Sequence, residues 1–143
     1  MKFLCALFAM LLLQQVPSEE LTKEGRITLE KHDWRDQKQP TVITVGKQVT
    51  FAINAYIDDF MGKPIINANA KITNTTAANM HVIYFITFYD ERNRVVGAYA
   101  METKLKPQGH TNFGSALIHG TEADFARVTH YKLYTTAHET VSE

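Results

Sequence analysis

From Val49 onward the apolar residues recur at every second position. Val49, Phe51, Ile53, Ala55 and Ile57 alternate with Thr50, Ala52, Asn54 and Tyr56, and an extended backbone sends such sets to opposite faces. Ile66, Ala68, Ala70 and Ile72 repeat the pattern against Asn67, Asn69, Lys71 and Thr73. After Ser18 no stretch keeps a convincing 3.6-residue period over twelve residues, so helices are not the main elements. Strands that are apolar on one face must bury it by stacking one sheet on another.

The breaks between strands are equally legible. Asp58-Asp59 and Met61-Gly62-Lys63-Pro64 interrupt the first alternating run, and Asn74 to Asn79 is a turn by composition. Met80 to Tyr89 is apolar on both faces, as expected of a central strand. Asp90 to Arg94 is a tight charged hairpin connection, and Val95 to Leu105 returns from it. Lys106-Pro107-Gln108-Gly109 turns the chain again, before strands at Phe113 to Ile118 and Val128 to Thr135. Glu122 to Ala126 is expected as one helical turn, and Arg26 to Trp34 and Thr41 to Val45 as the first strands. The sum is an all-β, Ig-like antiparallel sandwich of about seven or eight strands over residues 26–137. A flexible lead-in at 19–25 and a tail at 138–143 flank it.

The N-terminus reads as an export leader, residues 1–18. Lys2 is a short positive region, Phe3 to Leu13 is unbroken apolar sequence, and Gln14-Gln15 end it. That is too short for the about 20 residues a membrane-spanning helix needs, and it lacks the alternation of a buried amphipathic helix. Val16-Pro17-Ser18 puts the expected cut after Ser18. The expected location is periplasmic or secreted, with no membrane span in the mature chain. Cys5, the only cysteine, lies inside the apolar run. It has no complete apolar region before it and so is no lipid acceptor. The mature chain therefore has no thiol for disulfides, nucleophilic catalysis or metal binding. Lys+Arg and Asp+Glu both number 15, so no overall field favours nucleic acid or an anionic membrane.

Residues from Asn74-Thr75 onward carry a family likeness. A long strand closes in Phe85-Ile86-Thr87-Phe88-Tyr89-Asp90, a short charged turn follows, and the chain returns through Val95-Val96-Gly97. A Leu-x-Pro-x-Gly turn at Leu105 to Gly109 precedes Phe113, and Val128 to Tyr134 forms the closing strand. Together, over about residues 66–135, these segments resemble the FxLYD domain. The resemblance implies an Ig-like sandwich of bacterial exported proteins and lipoproteins with no assigned catalysis, and it transfers no functional residues. Phe88 stands where that family commonly has Leu, and Arg92-Asn93 where it has Gly.

Candidate chemistry is sparse, and no cofactor is expected. Imidazole and thioether suit copper, which makes Met80, His81, Met101 and His110 the candidate ligands of a metal carrier. Their spacing fits no metal motif, and adjacent Met80 and His81 point to opposite faces of a strand. A hydrolase would use Ser115 or Ser142 with His119, His130 or His138 and Asp124 or Glu122, yet no Gly-x-Ser-x-Gly elbow is present. Asp58-Asp59 and Asp90-Glu91 read as turn acids. Asn74-Thr75-Thr76 matches a glycosylation sequon, which matters only in a eukaryotic host, and the favoured reading is a plain polar turn.

The favoured function is an exported, non-catalytic binding or assembly module whose partner is another protein or a second copy. Ile83, Phe85 and Tyr89 are the candidate partner surface, opposite Val82, Tyr84, Ile86 and Phe88. Either residues 26–45 cover one of these sets, or it is offered to a partner.

Overall fold

The computed structural model describes residues 18–32, 41–113 and 117–140. Leader residues 1–17 with Cys5, together with Trp34, Ser115 and Ser142, lie outside the described residues, whereas Ser18 and Glu19 on either side of the expected cut are described. The alternating segments form strands β1 (Ser18–Arg26), β2 (Thr41–Val45), β3 (Val49–Phe60), β4 (Lys63–Asn74), β5 (Met80–Asp90) and β6 (Val95–Leu105). Strands β7 (His110–Phe113) and β8 (Leu117–His119), the short helix α1 (Glu122–Phe125) and β9 (Val128–Glu139) complete the order. One sheet runs β1-β9-β5-β6 and the other β2-β3-β4-β7, with β8 also paired to β4. All pairs between these strands are antiparallel. The chain is an all-β sandwich.

The core lies where the two sheets face each other. Val49, Phe51, Ile53, Ala55 and Ile57 of β3, with Ile66, Ala68, Ala70 and Ile72 of β4, are buried in one cluster. Met80, Val82, Tyr84, Ile86 and Phe88 of β5 and Leu133 of β9 belong to the same cluster. Fully burying one such large side chain contributes about 1.5–3 kcal/mol, so β5 is the central strand energetically as well as topologically. Gly97 closes the sandwich near its rim. A Cβ there would stand 2.4 Å from Ile118 Cγ2, so only glycine lets β8 approach β6 so closely.

Four expectations about boundaries are corrected. Residues 19–25, read as a flexible lead-in, lie in β1, in register with β9 from Ser18 opposite His138 to Arg26 opposite His130. An edge strand is held largely by backbone pairing, so its polar composition hid it. Glu19 also reaches across to the second sheet, where its carboxylate accepts from the Lys47 and Gln48 amides at 2.8 and 3.1 Å. The strand expected at Arg26 to Trp34 ends at Arg26 instead. Ile27 still bonds β9, whereas Glu30 and His32 bond Ile57 of β3, at 3.0, 2.9 and 2.9 Å. This segment therefore crosses between sheets, with Ile27 and Leu29 in the core.

Asp58-Asp59 does not break β3, which continues to Phe60. The reversal is a two-residue turn in which Met61 and Gly62 have φ of 55° and 77°, the positive pair that suits strand twist. The tail expected from 138 begins later, because His138 and Glu139 still pair with β5.

Tyr84 is fully buried, and its hydroxyl has no hydrogen-bond partner among the described residues. Burial pushes its ionisation well above the ordinary tyrosine value. An unmet buried hydroxyl costs about 1–3 kcal/mol. Tyr84→Phe is therefore expected to raise stability by about 1 kcal/mol in a denaturant melt. A clear loss would mean that the hydroxyl is satisfied in solution.

Candidate functional site

The strand pleat decides which side chains of β5 face outward. With Val82, Tyr84, Ile86 and Phe88 committed to the core, Ile83, Phe85 and Tyr89 lie on the outer face of the first sheet. Antiparallel register then builds the surface around them. Phe85 sits between Tyr134 of β9 and Ala100 of β6, and Thr87 between Lys132 and Ala98. Ala98 and Ala100 are exposed and small, so they leave the Phe85 ring standing above a flat apolar floor. Phe85 is 43% exposed despite its place in a central strand. Ile83 is half-buried. Tyr89 is half-buried too, stacked on His130 with ring centroids 5.2 Å apart and with Lys132 Nζ 5.7 Å from its ring centre.

The segment expected as a possible cover lies elsewhere in its described part. Ile27, Leu29 and Ile43 are buried between the sheets, on the opposite side of β5 from Phe85.

The four candidate copper ligands are not brought together. Met80 is wholly buried and Met101 packs against the same core, whereas His81 belongs to the outer face. His110 opens β7 in the other sheet, opposite Thr73. Among the described residues no three His, Cys, Asp or Glu side chains group as a metal site.

The hydrolase candidates are also dispersed. His130 and His138 both lie on β9 and are roughly 27 Å apart at the rise of an antiparallel strand. His119 is on β8, opposite Ile65. Glu122 pairs with Lys31 at 2.9 Å, and Asp124 is engaged by Thr121 and Arg127 at the ends of α1.

A crystal structure of a DUF1425 family member from Shewanella sp. pv-4 is similar to this chain, with a TM-score of 0.40 and 17% identity, over 83% of this chain and 99% of that one. No family model and no curated protein matches the chain.

A cleft of about 560 Å³ opens beside the β5–β6 hairpin, lined by Asp90, Glu91, Arg92, Arg94, Arg127 and Thr129 among others. Asp90 organises this hairpin. Its carboxylate accepts from the Arg92 and Arg94 amides at 2.9 and 3.0 Å and from Arg94 Nε at 2.8 Å. Asn93 takes the left-handed conformation the turn needs, φ 57°. The Arg94 side chain and the backbone donors lower the Asp90 pKa from 3.8 to about 2. This carboxyl stays ionised at neutral pH and has no proton to give as a general acid.

A folded-state pKa below the unfolded one means that the stabilisation is present above about pH 4 and is lost as pH falls towards about 2. Asp90→Asn is expected to flatten that part of the stability–pH curve, measured by melts between pH 5 and 2. An unchanged slope would remove Asp90 from the acid response.

The sequon asparagine, read as part of a polar turn, is the last residue of β4. Asn74 is 1% exposed, and its Nδ2 donates to Ala78 O at 2.8 Å and Lys106 O at 2.9 Å. Its Oδ1 accepts from the Thr76 amide at 3.0 Å and the Thr76 hydroxyl at 2.8 Å. The nitrogen a glycan would occupy is spent on holding two turns together.

Proposed function

We propose that the protein is an exported, non-catalytic binding module of the bacterial envelope, engaging a protein partner through the outer face of β9-β5-β6. The observation that carries this reading is Phe85, a large aromatic 43% exposed at a central-strand position. Ile83, Tyr134, Ala98 and Ala100 border it in register. Interfaces concentrate binding energy in such aromatic anchors set on flat apolar ground. The leader-like N-terminus supports export, and the FxLYD resemblance of residues 66–135 supports an Ig-like envelope module.

The test is gel filtration of an envelope extract from the native host, comparing the natural chain with Phe85→Glu. The natural chain should elute within a larger assembly and the variant as a free monomer, with equal melting temperatures because position 85 is outside the core. Co-elution of both as free monomer would refute the reading. An assembly containing only this chain would replace the foreign partner by a second copy.

A further inference from the structure

The register of β5 against β9 places two histidines directly opposite each other at the far end of the same outer face. His81 pairs with His138, and their rings meet edge to face with centroids 4.7 Å apart. His81 Nδ1 and His138 Nε2 are 3.1 Å apart. On the other side of the His81 ring, Nε2 stands 2.5 Å from Glu102 Oε1 of β6. We propose that His81 and His138 chelate one divalent transition-metal ion of the Zn²⁺ or Cu²⁺ class, with Glu102 as the positioning residue behind His81.

The chemistry follows from the donors and acceptors. An ionised carboxylate only accepts, so Glu102 keeps the His81 proton on Nε2 and leaves a lone pair on Nδ1. His138 Nε2–H then donates to that lone pair in the metal-free protein. A cation replaces this proton, and His138 carries its own on Nδ1 instead. Two nitrogens each about 2.0–2.1 Å from one Zn²⁺ at a near-tetrahedral angle stand roughly 3.3 Å apart, so only a small ring adjustment is needed. A carboxylate on the non-ligating nitrogen is the usual support of a metal-binding histidine. Water would complete the coordination. Imidazole pairs favour Zn²⁺ and Cu²⁺, whereas Ca²⁺ and Mg²⁺ require oxygen ligands. The site differs from the Met80, His81, Met101 and His110 set in every residue but His81, and it needs no docking partner.

Calorimetric titration of the untagged protein with Zn²⁺, and separately with Cu²⁺, tests the proposal, with imidazole ¹⁵N spectra following each nitrogen. One ion per chain should bind, and the His81 Nδ1 and His138 Nε2 signals should move. His138→Gln and His81→Gln should abolish binding, and Glu102→Gln should weaken it by about 10-fold or more. His110→Gln should leave it unchanged. Binding should also weaken as the pH is lowered, because protons compete for the same lone pairs. No binding to the natural chain would overturn the proposal, as would natural-strength binding in folded His138→Gln or a response to Ca²⁺ equal to that for Zn²⁺.

Discussion

Phe88→Ala is expected to lower stability by about 3–5 kcal/mol, the usual cost of truncating a fully buried phenylalanine. Phe88 is fully buried near the end of β5, in the same cluster as Tyr131 of β9 and Ile118 of β8. Truncation removes most of an aromatic side chain from a site closed by both sheets, and neighbours fixed by two ladders can collapse only partly into the space. For a domain of this size the loss corresponds to a fall in melting temperature of roughly 10–20 °C. Asp59→Ala provides the contrast, since it removes one exposed turn bond to the Gly62 amide at 2.8 Å. Thermal melts of the two variants should differ severalfold. Equal small shifts would mean that β5 does not fill the core.

Asn74→Ala ranks next, with an expected cost of about 2–4 kcal/mol for its buried hydrogen bonds. The side chain is a hub, because Ala78 O and Lys106 O belong to two separate turns, one leading into β5 and one leaving β6. Without the amide each carbonyl keeps a single weaker tie, Ala78 O to the Thr76 hydroxyl at 3.3 Å and Lys106 O to the Gly109 amide within its own turn at 3.0 Å, and nothing links the two turns through this position. Asn74→Asp makes the test specific. It keeps the shape but sets a carboxylate against two carbonyl oxygens, so it should destabilise at neutral pH at least as much as alanine. A stable Asn74→Asp would show that shape, and not donation, is what the site requires.

Legibility of this fold in its sequence followed the physics of each element. β3 was readable because burial on a pleated surface demands a two-residue period, which Val49 to Ile57 obey, and β5 because Met80 to Tyr89 is a short apolar run bounded by turn residues. β1 was hidden because its partners are the backbone groups of β9, which place little demand on side-chain polarity. Asp58 and Asp59 suggested a break, whereas the positive φ values of Met61 and Gly62 make the actual reversal.

The outer face was only half readable. Alternation separates Ile83, Phe85 and Tyr89 from Val82, Tyr84, Ile86 and Phe88, but both sets are apolar. Polar Thr87 and His81 among the odd positions are the signal for which set faces away from the inter-sheet core, although Thr87 is itself covered on that face. The His81, Glu102 and His138 arrangement was not readable at all. His81 and His138 are 57 residues apart in sequence, and only the register of three strands brings them together. The role of Asn74 was hidden for a related reason, since a polar stretch gives no hint that tertiary contacts bury one of its residues.

The outer face of β9-β5-β6 as the working surface is the claim on which the functional account stands, and residue-specific photo-crosslinking addresses it directly. A photoreactive phenylalanine analogue is placed at position 85 and, as a comparison, at Val42, which is 51% exposed on the edge strand of the other sheet. Irradiation of living cells should yield one discrete adduct from position 85 and none from position 42. No adduct from position 85, or the same set of adducts from both positions, would contradict the account.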